Sequence, residues 1–202
     1  MKRNIAVVVL AAGSSSRMGT AKQLLRIGSR TLLRHSVEEA IAAAGVDATF
    51  ITVGSEAERM RVELSDLSVT IIENTGWAAG IGTSIATAAR LIMQQQPEFT
   101  GVVLMTCDQP HVSAATIDRL IAAHEASAKP IAASAYAGTI GVPAVFSRAY
   151  FDELAQLRPD KGAKDILLRH PEDVAVVEFE PASVDLDRPA DYERFARSGV
   201  TS

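Results

Sequence analysis

IAVVVLAAGSSSRMGTAK, residues 5–22, runs from six consecutive apolar residues into a loop of glycine, serine, arginine and lysine. An apolar run without alternation, Ile5 to Leu10, reads as a strand covered on both faces, the habit of strands in a parallel sheet. Polar sequence follows at once, so LAAGSSSRMGTAK, residues 10–22, lies at the carboxyl end of that strand. Ligands of open α/β sheets gather there. Gly13 and Gly19 permit close backbone approach, main-chain N–H groups can face an anion, and Arg17 and Lys22 carry positive charge. The plain alternative is a flexible surface turn. Counting excludes two familiar phosphate loops: a Walker loop fails because Lys22 does not follow Gly19, and a dinucleotide fingerprint fails because positions 15 and 18 are Ser15 and Met18.

Outward from this stretch, apolar runs alternate with segments of helical period, which predicts an α/β fold with a mostly parallel central sheet and helices on both faces. Leu32 to Ala44 reads as a helix closed by Gly45, Thr49 to Val53 as a strand, Ala57 to Leu64 as a short helix and Val69 to Ile72 as a strand. Thr83 to Gln95 reads as a helix, Val102 to Thr106 as a central strand, and Ser113 to Ala126 as a helix with Ser113 as its N-cap. Shorter runs at Pro130 to Ala135, Val142 to Phe146 and Val174 to Phe179 predict some antiparallel pairing in the second half.

A chain of 202 residues with 48% apolar and 22% charged residues suits one globular domain, residues 1–202. Twenty Lys and Arg (20) against 24 Asp and Glu leave a net charge of −4, so no global basic field exists for nucleic acid and an anionic ligand must be held locally. Cys107 is the only cysteine, which suits a reducing compartment, and a cytoplasmic location is expected. Lys2 and Arg3 before the apolar run resemble the start of a secretory signal, but cleavage near Gly13 would remove the best strand. No stretch reaches the ~20 apolar residues of a membrane span. Cys107, beside a carboxylate that would raise its pKa, reads as a small core residue. His35, His111, His124 and His170 show no metal-ligand spacing and read as packing residues.

Asp108 follows the run VVLMTC, residues 102–107, so it ends a central strand where a charge has few structural reasons to be. It is a candidate Mg²⁺ ligand, since that ion takes one or two carboxylates together with substrate phosphate oxygens; a helix-opening turn is the alternative. In VDLDRPADY, residues 184–192, Asp185, Asp187 and Asp191 cluster beside a helix start. NTGWAAGIGTS, residues 74–84, is a second glycine-rich turn between a strand and a helix, where function often sits; the plain alternative is a connection with Trp77 as a core anchor.

These motifs together resemble the molybdopterin nucleotidyltransferases, in particular the molybdenum cofactor cytidylyltransferases within the MobA-like NTP transferases. LAAGxSxRMG with its following Lys22 is similar to the signature loop of that family, CDQP at residues 107–110 to its metal segment, and DxDxPxDY at residues 185–192 to its C-terminal element. The resemblance implies a Rossmann-like nucleotide-diphospho-sugar transferase fold. It implies that Leu10, Ala11, Ala12 and Gly13 face the base and sugar, that Arg17 and Lys22 hold the triphosphate, and that Asp187 joins Asp108 on Mg²⁺. Gly80, Gly82 and Ser84 would line the second-substrate cleft. GVPAVFS, residues 141–147, would flank that substrate, and Lys161 and Lys164 of RPDKGAKDIL would contact phosphate, although Thr75, Pro159 and Lys164 depart from the family pattern.

The activity so implied is Mg²⁺-dependent transfer of CMP from CTP to the phosphate of molybdopterin, releasing pyrophosphate, with Arg17, Lys22 and Asp108 as the catalytic set and a molybdoenzyme as client. The Ala11 and Ala12 pair favours CTP, because guanine-using members tend to carry LAGG. Two rivals stand beside it: a sugar- or polyol-phosphate nucleotidyltransferase of the same fold, and a non-catalytic chaperone that binds nucleotide or cofactor.

Overall fold

The computed structural model describes residues 3–16, 18–96 and 98–197. Ile5–Leu10 forms strand β1 with all six residues buried. Alternate side chains of a strand point to opposite faces, so β1 feeds two cores. Ala6, Val8 and Leu10 pack with Phe50, Leu104 and Phe146, whereas Ile5, Val7 and Val9 pack with Ile51, Val103 and Ile121. Burial on both faces is what an uninterrupted apolar run requires.

The remaining strands are β2 (Arg26–Ile27), β3 (Arg30–Thr31), β4 (Ala48–Val53), β5 (Thr70–Glu73), β6 (Gly101–Thr106), β7 (Ile131–Tyr136), β8 (Thr139–Ser147) and β9 (Val174–Glu178). The α-helices are α1 (Leu32–Ala42), α2 (Ala57–Glu63), α3 (Ile81–Met93), α4 (Ala114–Ser127), α5 (Phe151–Ala155), α6 (Ala163–Arg169) and α7 (Pro189–Arg197). The main sheet runs β5-β4-β1-β6-β8-β7-β9, and β2 and β3 form a separate hairpin. β5, β4, β1 and β6 are parallel, β8 is antiparallel to both β6 and β7, and β9 is parallel to β7. The expected antiparallel element is therefore the single strand β8. Leu10 pairs with Thr52 on one side and with Thr106 on the other, so β1, β4 and β6 end level and release their loops at one edge.

Helices α3, α5 and α6 cover one face through Ile85, Ile92, Phe151, Leu154, Ile166 and Leu167. Helices α1, α2 and α4 cover the other through Leu33, Val37, Met60, Ile117 and Leu120. Ser113 caps α4 as expected, its hydroxyl accepting from the Thr116 N–H at 3.3 Å. Ser113→Ala should cost about 1 kcal/mol and lower the melting temperature by roughly 2–4 °C; an unchanged thermal transition would show the cap to be dispensable. Gly45 does not close α1, which ends earlier at Ala42 with Ala43 as its C-cap. It is instead the point where the chain approaches α4: its N–H donates to Asp118 at 2.8 Å, and a Cβ there would stand 2.8 Å from Ile121. No helix among the described residues is long and apolar enough to cross a membrane.

A third, smaller cluster determines where the C-terminal carboxylates sit. Leu186, fully buried, packs with Leu32 and Phe195, and Ile27, Val184 and Tyr192 surround them. The Leu186 N–H donates to the Asp108 carbonyl at 3.1 Å. Anchoring Leu186 inward turns its neighbours Asp185 and Asp187 outward, by the side-chain alternation of an extended segment.

Candidate active site

After β1 the chain leaves the sheet with the Ala11 N–H still donating to Thr52 in β4, 3.0 Å away. The loop beyond is braced from inside by Gln23, which is 1% exposed. Its amide nitrogen donates to the carbonyls of Ala11 (2.9 Å) and Gly13 (2.8 Å), and its Oε1 accepts from the Ser15 hydroxyl at 3.0 Å. Ser15 Oγ in turn accepts from the Lys22 N–H at 3.0 Å. Ser15 and Gly19 both take positive φ, 54° and 72°, so the loop doubles back and delivers Lys22 to the sheet edge. Sequence reading missed Gln23, a polar residue hidden between Lys22 and two leucines. Among the described residues, the N–H groups of Ala12, Gly13 and Ser14 find no acceptor, and all three residues line the cleft.

Lys22 meets the carboxylates. Its Nζ lies 2.6 Å from Asp108 and 2.6 Å from Asp187, with the lysine side chain 13% exposed. Expected on the triphosphate, Lys22 stands between the two expected metal ligands, because paired carboxylates in a partly dehydrated site need a counter-charge. Burial pulls the lysine pKa down, but Asp108, Asp187 and Asp185 outweigh it and hold the ammonium above its ordinary value. Asp185, not assigned a role from sequence, completes the group: carboxylate oxygens of Asp108, Asp185 and Asp187 all lie within 4.8 Å of one another. Loss of hydration at its carboxyl and the charges of Asp108 and Asp187 push Asp185 up to about 7, against the pull of Lys22. Asp185 is exposed over much of its surface, so the neighbouring carboxylates are the weightier cause. The DxD spacing was the available signal for it.

The opposite wall is the second glycine-rich turn. A cleft of about 340 Å³ is lined by the first loop, Lys22 and Asp108 on one side and by Trp77, Gly80 and Ser84 on the other. Trp77 is a cleft wall instead of a core anchor, and it packs on Gly54, where a Cβ would stand 2.7 Å from its ring and 2.4 Å from the Ala12 carbonyl. Buried Asn74 organises this turn: its amide donates to Thr83 Oγ1 (2.8 Å) and Ser84 Oγ (2.9 Å), and its Oδ1 accepts from the Gly76 N–H at 3.0 Å. Gly82 does not line the cleft. Its N–H donates to the Pro159 carbonyl at 3.2 Å and its α-carbon lies against the turn at residues 158–161.

Lys161 and Lys164 are not brought to the cleft either. Lys161 pairs with Asp165 at 3.0 Å and faces a separate groove beside Glu153 and Leu168. Lys164 is exposed on the first turn of α6. What this stretch supplies to the site is main chain, the carbonyls on which Gly80 and Gly82 rest. Arg17 lies outside the described residues.

On the far side of Asp108, buried Gln109 donates to the carbonyls of Val142 (3.2 Å) and Ala182 (2.9 Å), tying GVPAVFS to the segment before Asp185. Burial and the Asp108 charge raise the Cys107 thiol well above its ordinary value, as expected for an inert core thiol. His35 contacts the Pro110 carbonyl at 3.0 Å and His124 the Lys129 carbonyl at 2.8 Å, both packing roles. His111 packs edge-on against Phe195. His170 does come within 4.8 Å of Glu172 and Asp173, a grouping its sequence spacing did not suggest, but it also faces Glu153 at 3.3 Å.

Known proteins resemble this chain over much of its length. Residues 7–174 match the MobA-like NTP transferase domain. The bifunctional protein GlmU of Thermobifida fusca is 34% identical over 135 residues, which is 64% of this chain and 27% of that protein, so the chain spans about a quarter of its length. The molybdenum cofactor guanylyltransferase of Rhizobium johnstonii is 32% identical over 88% of this chain and 80% of its own. Among solved structures, Rv0371c of Mycobacterium tuberculosis H37Rv superposes with a TM-score of 0.79 at 33% identity, covering 98% of this chain and 100% of that one. A second structure of that protein is a complex with manganese. The chain thus belongs to the MobA-like NTP transferase family and carries a nucleotidyltransferase domain.

Proposed function

We propose that the protein transfers the nucleotidyl group of a nucleoside triphosphate, CTP by preference, to the phosphate of molybdopterin or its molybdenum-bound form. The observation that carries this reading is one wall of main-chain donors, at Ala12, Gly13 and Ser14, in the cleft that ends on Asp108. N–H groups without acceptors are what an anionic or hydrogen-bonding ligand satisfies. Leu10, Ala11, Ala12 and Gly13 would take the nucleotide, with Arg17 and Lys22 toward its phosphates. Three carboxylates with oxygens inside 4.8 Å, already drawing an ammonium between two of them, fit a hard divalent cation such as Mg²⁺ held by Asp108 and Asp187. Such an ion, when bound, neutralises phosphate charge and polarises the phosphoryl group.

A phosphate oxygen of the acceptor attacks the α-phosphorus, the bond to the β-phosphate oxygen breaks, and pyrophosphate leaves. No protein nucleophile is needed. The chain's part is alignment and charge: Lys22 stands at the seam between cleft and carboxylates, and the loop donors orient the triphosphate. The Ala11 and Ala12 pair supports cytosine, whereas the guanylyltransferase relative supports GTP as the second reading.

The test is pyrophosphate release with Mg²⁺, each nucleoside triphosphate in turn, and molybdopterin or a sugar phosphate as acceptor. Molybdopterin-dependent release, fastest with CTP, is expected. Release with GTP alone would transfer the assignment to guanine, and release only with a sugar phosphate would remove the molybdopterin assignment. Thermal shift gives a supporting expectation: a triphosphate at about 100 times its Kd should stabilise by about 2.7 kcal/mol, or roughly 5–10 °C.

A further inference from the structure

We infer that Gln23 is a positioning residue that aims the nucleotide-binding donors of the first loop, an assignment that rests on the nucleotide reading above. Its amide carries two hydrogens, and both are spent on main-chain carbonyls of the loop, Ala11 at 2.9 Å and Gly13 at 2.8 Å. The flipped amide would set Oε1 against those two carbonyl oxygens, so the network admits one orientation. A trans peptide is planar, with its C=O and the following N–H pointing in opposite directions. Pulling the Ala11 carbonyl inward therefore turns the Ala12 N–H outward, and the same bond to Gly13 turns out the Ser14 N–H. Ala12 and Ser14 are cleft-lining residues whose N–H groups have no acceptor among the described residues.

The Ala11 N–H, in contrast, is taken by Thr52 in the sheet and is not available to a ligand. Gln23 thus separates the loop's polar groups into an inner set that the protein satisfies and an outer set left for ligand. The same side chain accepts from Ser15, whose hydroxyl holds the Lys22 N–H, so one buried amide links the donor wall to the start of the lysine. A residue that merely filled space would leave nucleotide affinity untouched once the fold is intact.

The test is calorimetric titration of wild type and Gln23→Met with CTP and with GTP, each with Mg²⁺. Methionine matches the length of glutamine and lacks its donors. We expect Kd for the better nucleotide to rise roughly tenfold at a temperature where both proteins show the same circular dichroism, and Gln23→Glu, whose carboxylate faces two carbonyls, to bind more weakly still. A folded Gln23→Met with Kd within twofold of wild type overturns the inference. If that variant does not fold, amide resonances of wild type decide: on titration with nucleotide those of Ala12 and Ser14 should move and that of Ala11 should hold. Stationary Ala12 and Ser14 signals in a protein that binds nucleotide overturn it equally. Wild type that binds no triphosphate overturns the nucleotide reading itself, and the role of Gln23 with it.

Discussion

Asp108→Ala is expected to lower turnover by about a thousandfold or more while leaving the melting temperature close to wild type. The large effect follows from position: Asp108 lies in the turn two residues past the central strand β6, shares the Lys22 ammonium with Asp187, and stands in the only described group of carboxylates that borders the cleft. Its loss removes one of the two carboxylates proposed for the divalent cation and leaves Lys22 with its contact to Asp187 and the nearby charge of Asp185. The small effect on stability follows from the main chain. The Leu186 N–H bonds to the Asp108 carbonyl, not to its carboxylate, so the C-terminal segment stays docked when the side chain is cut back. Steady-state kinetics beside a melting curve checks both halves. Activity within tenfold of wild type would remove Asp108 from the reaction, and a collapse of the melting transition would make it a structural residue.

Gly82→Ala is the second large expectation, this time on stability. A Cβ at Gly82 would stand 1.9 Å from the Arg158 carbonyl oxygen and 2.7 Å from that of Lys161. Both obstacles are main chain, in a turn closed by its own Lys161-to-Arg158 hydrogen bond at 3.0 Å, so neither can swing aside as a side-chain tip would. Overpacking of this kind costs about 1–3 kcal/mol or more, a fall of roughly 2–12 °C in melting temperature for a chain of this size. Gly13→Ala serves as the contrast, since nothing lies within 4 Å of the added methyl. A Gly82→Ala protein that melts with wild type would mean that the turn at residues 158–161 yields freely.

Much of the fold was legible because its signals are local. Ile5 to Leu10 had to be covered on both faces whatever surrounded it, and Ser113 had to cap a helix because its hydroxyl reaches only three residues ahead. The antiparallel strand was foreshadowed by the irregular second half, but its place between β6 and β7 depends on pairing across the sheet and has no local mark. Gly45 shows the limit of a local rule: glycine after a helix suggests a C-cap, yet contact with Ile121 explains this one.

The site divides in the same way. Sequence by itself determined the loop at residues 10–22, with Lys22, and Asp108 at a strand end, because loop chemistry and strand termini are written in adjacent residues. Only the tertiary structure decided that Lys22 binds the carboxylates, that Asp185 completes their group, that Gln23 braces the loop, and that Lys161 faces another groove. The physical reason is range. A hydrogen bond or ion pair acts over about 3 Å, and which of two residues 165 positions apart come that close, as Lys22 and Asp187 do, is settled by the packing of Leu186 against Leu32 and Phe195.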